Sequence, residues 1–137
     1  EVRVMGRASY GVCGVKLNAN DEVVSLEVVE DKKDSILTIT EKGYGKRSQI
    51  EDYRLTGRAC KGVINLKVKE KTGNVVTSTS VKGNDSVIVT TAKGMVIRVA
   101  VKSLRVMGRA TSGVRIINIK QGDTVSDLVK IPQVEVE

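Results

Sequence analysis

The sequence predicts an all-β protein built of propeller-like blades, each of four antiparallel strands, and three observations carry that prediction. The word Gly-Arg-Ala-x-x-Gly-Val occurs three times, at residues 6–12, 57–63 and 108–114, with 51 residues from each copy to the next. A fixed period of that length marks a repeat architecture whose units stack on their neighbours. Val, Ile and Thr number 24, 10 and 10 among 137 residues, while Phe and Trp are absent. Side chains branched at Cβ are stiff and favour strands over helices. Finally, each period holds four short apolar or alternating stretches separated by polar, glycine-bearing turns, and such blades limit the number of exposed sheet edges.

The elements follow in order. Residues 1–5 read as the end of a preceding repeat, 6–56 as the first full repeat, 57–107 as the second and 108–137 as an incomplete third. In each repeat the first strand follows the Gly-Arg-Ala word, at 12–17 and 63–68. The second, at 23–29 and 75–81, alternates with period two: Val24, Leu26 and Val28 are separated by more polar residues. The third covers 36–40 and 87–91. Polar turns at 30–34 and 82–85 predict that strands two and three close as a hairpin. The fourth opens after Lys42-Gly43 or Lys93-Gly94 and covers 44–47 and 95–101; a connector at 48–54 or 102–104 leads to the next word. Two and a half blades cannot close a ring, so open edges are expected, with self-association or further repeats as ways to cover them. Pro132 fits an edge or linker. The chain starts at Glu1 without an initiator Met and stops within a repeat, as a piece of something longer would.

Composition narrows the chemistry. There is no His, which removes Ser-His and Cys-His nucleophile pairs and leaves Cys13 and Cys60 too few co-ligands for zinc; both are read as reduced, partly buried thiols. No apolar run approaches a membrane span, so a soluble, cytoplasmic protein is expected. The net charge is +7, and it is unevenly spread: residues 42–120 carry 17 Lys and Arg against four acids, Glu51, Asp52, Glu70 and Asp85. A basic tract of this density is a footprint for a polyanion, with nucleic acid first, an anionic membrane surface second and a merely solubilising surface as the bland alternative.

The ordered motifs Met5-Gly6-Arg7-Ala8, 11–17, 21–26, 36–40 and Gly43-Tyr44-Gly45-Lys46-Arg47-Ser48, continued through Gly57-Arg58-Ala59-Cys60-Lys61-Gly62-Val63-Ile64, resemble the C-terminal domain of the DNA gyrase A subunit. The likeness covers nearly the whole chain. It implies a β-pinwheel, a disc whose blades exchange strands with their neighbours and whose basic rim wraps duplex DNA during supercoiling. It implies further that the catalytic tyrosine and the ATP and Mg chemistry of a type II topoisomerase lie outside this chain, which itself carries no cofactor. The implied partners are double-stranded DNA, the remaining blades and catalytic core, and the gyrase B subunit; the implied location is the nucleoid. The family's Gln-Arg-Arg-Gly-Gly-x-Gly box is not present; residues 56–62 keep one Arg and the last Gly of it. Interior blades would place the box outside the chain, and the related topoisomerase IV A subunit stays a close competitor.

Cations at one blade's spacing can follow a bent duplex and displace its counterions. The candidate contacts are Arg7, Lys46, Arg47, Arg54, Arg58, Lys61, Arg98, Lys102, Arg105 and Arg109, with Lys46 and Arg47 expected at a hairpin tip. For Arg7, Arg58 and Arg109 a structural role, bonding backbone carbonyls or a neighbouring acid, is the competing reading. Three tyrosines alone offer no stacking platform, and with no helix to enter a groove, contacts to the DNA backbone are expected instead of base readout. Residues 43–48 are not a phosphate loop, because the Lys is not followed directly by Ser or Thr, and the acids between Asp21 and Asp34 match no calcium-loop spacing. A different class of function, a propeller-like scaffold for an acidic protein, remains the alternative to DNA binding.

Overall fold

A computed structural model describes residues 1–134 and contains seven strands. They are β1 (Ser35–Thr40), β2 (Tyr44–Gln49), β3 (Val75–Val81), β4 (Ser86–Thr91), β5 (Val96–Ala100), β6 (Val114–Arg115) and β7 (Val125–Ile131). Two antiparallel sheets result, in the orders β3-β1-β2-β6 and β5-β4-β7. Pairs in the first sheet map onto pairs in the second at the repeat spacing: Leu37 pairs with Arg47 where Ile88 pairs with Arg98. Short 3₁₀ turns, Ile50–Asp52 and Val101–Ser103, follow β2 and β5 at equivalent places.

The hairpins form around glycine. The loop from β1 to β2 has Gly43 at φ 80°, and that from β4 to β5 has Gly94 at φ 88°. Each glycine N–H returns to the end of the preceding strand, Thr40 O at 3.1 Å and Thr91 O at 3.0 Å. This is the three-residue hairpin that wants a left-handed residue last.

The predicted hairpin of strands two and three does not form. β3 and β4 follow one another in sequence but lie in different sheets. The connecting turn is closed from both sides: Asp85 N–H donates to Lys82 O at 3.1 Å and Lys82 N–H to Asp85 Oδ2 at 2.8 Å, and the chain passes through it to the next sheet. Each repeat therefore gives its second strand to the preceding repeat's third strand: β3 pairs with β1 and β7 with β4. Both pairings slip at the same place, between Ile39 and Thr40 and between Thr90 and Thr91.

The same rule accounts for expected strands that are missing. β6, from the third repeat, pairs with β2 of the first. Among the described residues, 12–17, 23–29 and 63–68 have no strand at that spacing to pair with. These stretches are not strands; a single bridge joins Val15 to Cys60. Most apolar side chains of 23–29 face solvent, Leu26 at 91% and Val28 at 72% exposure, whereas Leu66 of 63–68 is buried. The edge strands are β3 and β6 in the first sheet and β5 and β7 in the second, and the 23–29 segment adds to none of them as a strand.

The core lies between the sheets. Leu37 and Ile39 of β1, Val81 of β3, Val87 and Val89 of β4, with Val101, Ile117, Val125 and Leu128, form one buried cluster. Each such side chain contributes roughly 1.5–3 kcal/mol. Both faces of β1 are covered, so Thr38 and Thr40 are buried as well. Thr38 Oγ1 bonds Ser78 Oγ and accepts from Asn65 Nδ2, each at 2.8 Å, while the Tyr53 hydroxyl donates to Asn65 Oδ1. Burial raises the Tyr53 pKa. This polar chain ties β1 and β3 to the connector and to the start of the second repeat.

Candidate nucleic-acid interface

Each Gly-Arg-Ala word is a tight turn with the same internal logic. The residue three after the first glycine bonds back to that glycine's carbonyl: Ser9 through its N–H at 3.1 Å, Cys60 through Sγ at 3.2 Å, Thr111 through Oγ1 at 3.2 Å. The closing glycine is the one that the backbone requires, since Gly11, Gly62 and Gly113 have φ of 80°, 77° and 73°. Gly6, Gly57 and Gly108 have open space around them. Cys60 is half-buried and Cys13 is exposed, not partly buried as expected. The Thr56 hydroxyl, first among several hydrogen-bonding groups, holds the Cys60 thiol below its ordinary pKa.

Hydrogen bonds join the stretch that follows each word to the next word. Lys16 N–H donates to Cys60 O and Lys67 N–H to Thr111 O, both at 2.9 Å and one repeat apart. The three words thereby form a continuous band. Its third member is clamped to β2, where Met107 N–H donates to Arg47 O at 2.7 Å.

The ten predicted cations divide sharply along this band. Arg7, Arg54, Arg58, Lys61, Arg98, Lys102 and Arg105 are exposed. Arg98 and Lys102 flank one groove, with Arg98 Nη2 3.4 Å from Ser86 Oγ. Arg109 is half-buried and bonds two backbone carbonyls, Asp52 O through Nε at 3.1 Å and Ile64 O through Nη1 at 3.0 Å. Its fork holds the third word to the connector of the first repeat and to the second repeat, which is the structural role weighed against DNA contact.

Lys46 and Arg47 are not at a hairpin tip. Both lie inside β2, because the turn is made earlier, at Gly43. Lys46 is 2% exposed, and its ammonium donates to Gly108 O at 2.9 Å and to Arg109 O. Burial, then the nearby Arg109, push its pKa down to about 8, against a smaller opposing effect of Asp52. It cannot present its charge to a ligand at the surface. Arg47 is half-buried, with its Nε enclosed and unbonded.

A second group of cations, missed in the sequence, gathers around Tyr44: Lys42, Lys71, Arg115 and Lys120. They come from all three repeats, so no spacing announces them. Among the described residues no group of three or more His, Cys, Asp or Glu is placed to hold a metal ion, and no helix is long and apolar enough to cross a membrane.

Comparison with known proteins gives the same picture. The family described as DNA gyrase C-terminal domain, beta-propeller, matches residues 1–30, 34–82 and 85–132. The DNA gyrase A subunit of Chlamydia muridarum is 43% identical over 132 residues, 96% of this chain but 16% of that protein's length. A solved DNA gyrase A C-terminal domain superposes with a TM-score of 0.87 at 25% identity, over 96% of this chain and 44% of that one. The C-terminal domain of a DNA topoisomerase IV gives the same TM-score at 23% identity, over 95% and 41%, a likeness of fold alone. With the repeated word, the exchanged strands and a family match over nearly its whole length, the chain belongs to the DNA gyrase C-terminal domain, beta-propeller, family.

Proposed function

We propose that the chain is a duplex-DNA-binding and wrapping module of a gyrase, holding the DNA backbone by charge and leaving the chemistry to other parts of its parent. The observation that carries this reading is the hydrogen-bonded band of Gly-Arg-Ala words, along which Arg7, Arg54, Arg58 and Lys61 stand exposed. Exposed cations spaced along such a band can follow a bent phosphate backbone without reading bases. Lys46 is withdrawn from the contact set and Arg109 acts first as a tether. The parent would be an ATP-dependent type II topoisomerase acting at the nucleoid, and its partners would be the catalytic core, further blades and the gyrase B subunit. The 43% identity to a gyrase A subunit favours gyrase over topoisomerase IV. The exposed 23–29 segment and the β5 edge are where neighbouring blades, or a second copy, would add.

The test is the affinity for a mixed-sequence duplex as salt is raised. Six to ten phosphate contacts predict a loss of about 10³–10⁵ in affinity between 50 and 200 mM salt, with little dependence on sequence. Affinity that hardly responds to salt, or no binding at all, contradicts the proposal and favours a scaffold for an acidic protein.

A further inference from the structure

The group around Tyr44 is built, not scattered. Tyr44 is the first residue of β2 and pairs with Arg115 of β6, the residue that follows the third Gly-Arg-Ala word. The Arg115 guanidinium carbon lies 5.2 Å from the ring centroid, and the Lys71 ammonium is also at 5.2 Å. The negative faces of an aromatic ring hold two cations that would otherwise repel. Arg115 is further fixed by Nη2 donating to the Tyr44 hydroxyl at 2.9 Å and Nη1 to Asn118 Oδ1 at 3.2 Å, which leaves donors of its fork free. Lys42 donates to Glu70 O beside them, and Lys120 completes the wall of a cavity of about 250 Å³.

One carboxylate, Asp123, lines the same cavity, but it is 6% exposed and accepts from the N–H groups of Lys93 at 3.0 Å and Thr124 at 2.8 Å. It is turned to the backbone and does not neutralise the four cations. At one repeat's spacing Tyr44 becomes Met95, and Arg115 corresponds to Ile64 and Cys13, so the pocket is formed once where the Gly-Arg-Ala word is formed three times.

We propose that this pocket binds a phosphodiester of duplex DNA, a second anchor that holds the duplex where the third Gly-Arg-Ala word runs into β6. Exposed cations, with Arg115 and Lys71 already gathered on one ring, suit an anion that arrives on a stiff polymer. The proposal rests on the DNA-binding reading above, and its test separates the two.

Backbone amide NMR of the 137-residue chain is followed as a short DNA duplex is added. The amides of Gly43, Tyr44, Arg115 and Gly122 should shift saturably, and Lys71→Gln with Arg115→Gln should abolish those shifts while Arg58 and Lys61 still respond. The same pair should flatten the dependence of log affinity on log salt by about two. Because Arg115 braces Tyr44, the exposed pair Lys71→Gln with Lys120→Gln repeats the test without touching that bond. Pocket amides that do not move overturn the proposal, whatever the band does. Pocket amides that move while residues 57–61 do not would uphold it and sink the band reading. An equal response to inorganic phosphate at matched ionic strength would mark a free-anion site and overturn the assignment to DNA.

Discussion

The first and third Gly-Arg-Ala words carry the same residues in opposite states. At the third, Gly113 packs so closely on β2 that a Cβ would lie 2.3 Å from Gly45 O, Lys46 reaches up to two carbonyls of the word, and Arg109 is tied to carbonyls of the first and second repeats. At the first, a Cβ on Gly11 would meet nothing within 4 Å, and Arg7 is exposed. The difference is a strand: the third word has β2 to lie against and the first has none. An identical turn is therefore a structural joint or a free cation according to whether a blade edge is supplied two repeats earlier.

The largest effect should come from glycine at the closing position. Gly113→Ala meets both a positive φ and the Gly45 backbone, and should cost about 3 kcal/mol or more in urea unfolding. Gly11→Ala meets only the backbone strain, about 1 kcal/mol. Equal losses would mean that the third word is not clamped as described. Next, Arg109→Gln should destabilise by about 1–3 kcal/mol, since it strips charged donors from the Asp52 and Ile64 carbonyls. Arg7→Gln should leave the melting temperature unchanged.

Lys46 makes a pH prediction. Its folded pKa of about 8 lies below the ordinary lysine value of 10.5, so the unfolded chain holds the proton more tightly. Above pH 8 the folded state has released a proton that the unfolded state keeps, and stability should rise towards pH 10.5. Lys46→Met should remove that rise, read as the difference between the two stability profiles. A profile that falls over the same window would contradict the burial of the ammonium. The smallest effect is expected at Cys60→Ser, within about 0.5 kcal/mol, because the hydroxyl can bond Gly57 O as the thiol does.

Much of the fold was legible because local chemistry specifies it. The period, the limits of β3 and β4, and the two glycine hairpins at Gly43 and Gly94 need only nearby residues. Which strand pairs with which was not legible from the repeat itself, since identical copies give the same pattern whether they pair within a repeat or across it. Only the family resemblance implies strand exchange, since the Asp85-closed turn at 82–85 would serve a hairpin as well as a crossing to the next sheet. Among the site residues, exposure followed position: Arg54, Arg58 and Lys61 lie outside the strands and are exposed, whereas Lys46 alternates with Gly45 and Arg47 along β2 and falls on the covered side. Tyr44, Lys71 and Arg115 meet only through cross-repeat pairing, and no motif joins them in the sequence.

One repeated arginine does two jobs, and the most direct test of this is the salt dependence of duplex affinity for Arg58→Gln beside Arg109→Gln, each with its melting temperature. Arg58→Gln should lower the slope of log affinity against log salt by about 0.9 with no change in stability. Arg109→Gln should lower the melting temperature and leave the slope alone. The reverse pattern, or equal loss of slope in both, would contradict the division of labour.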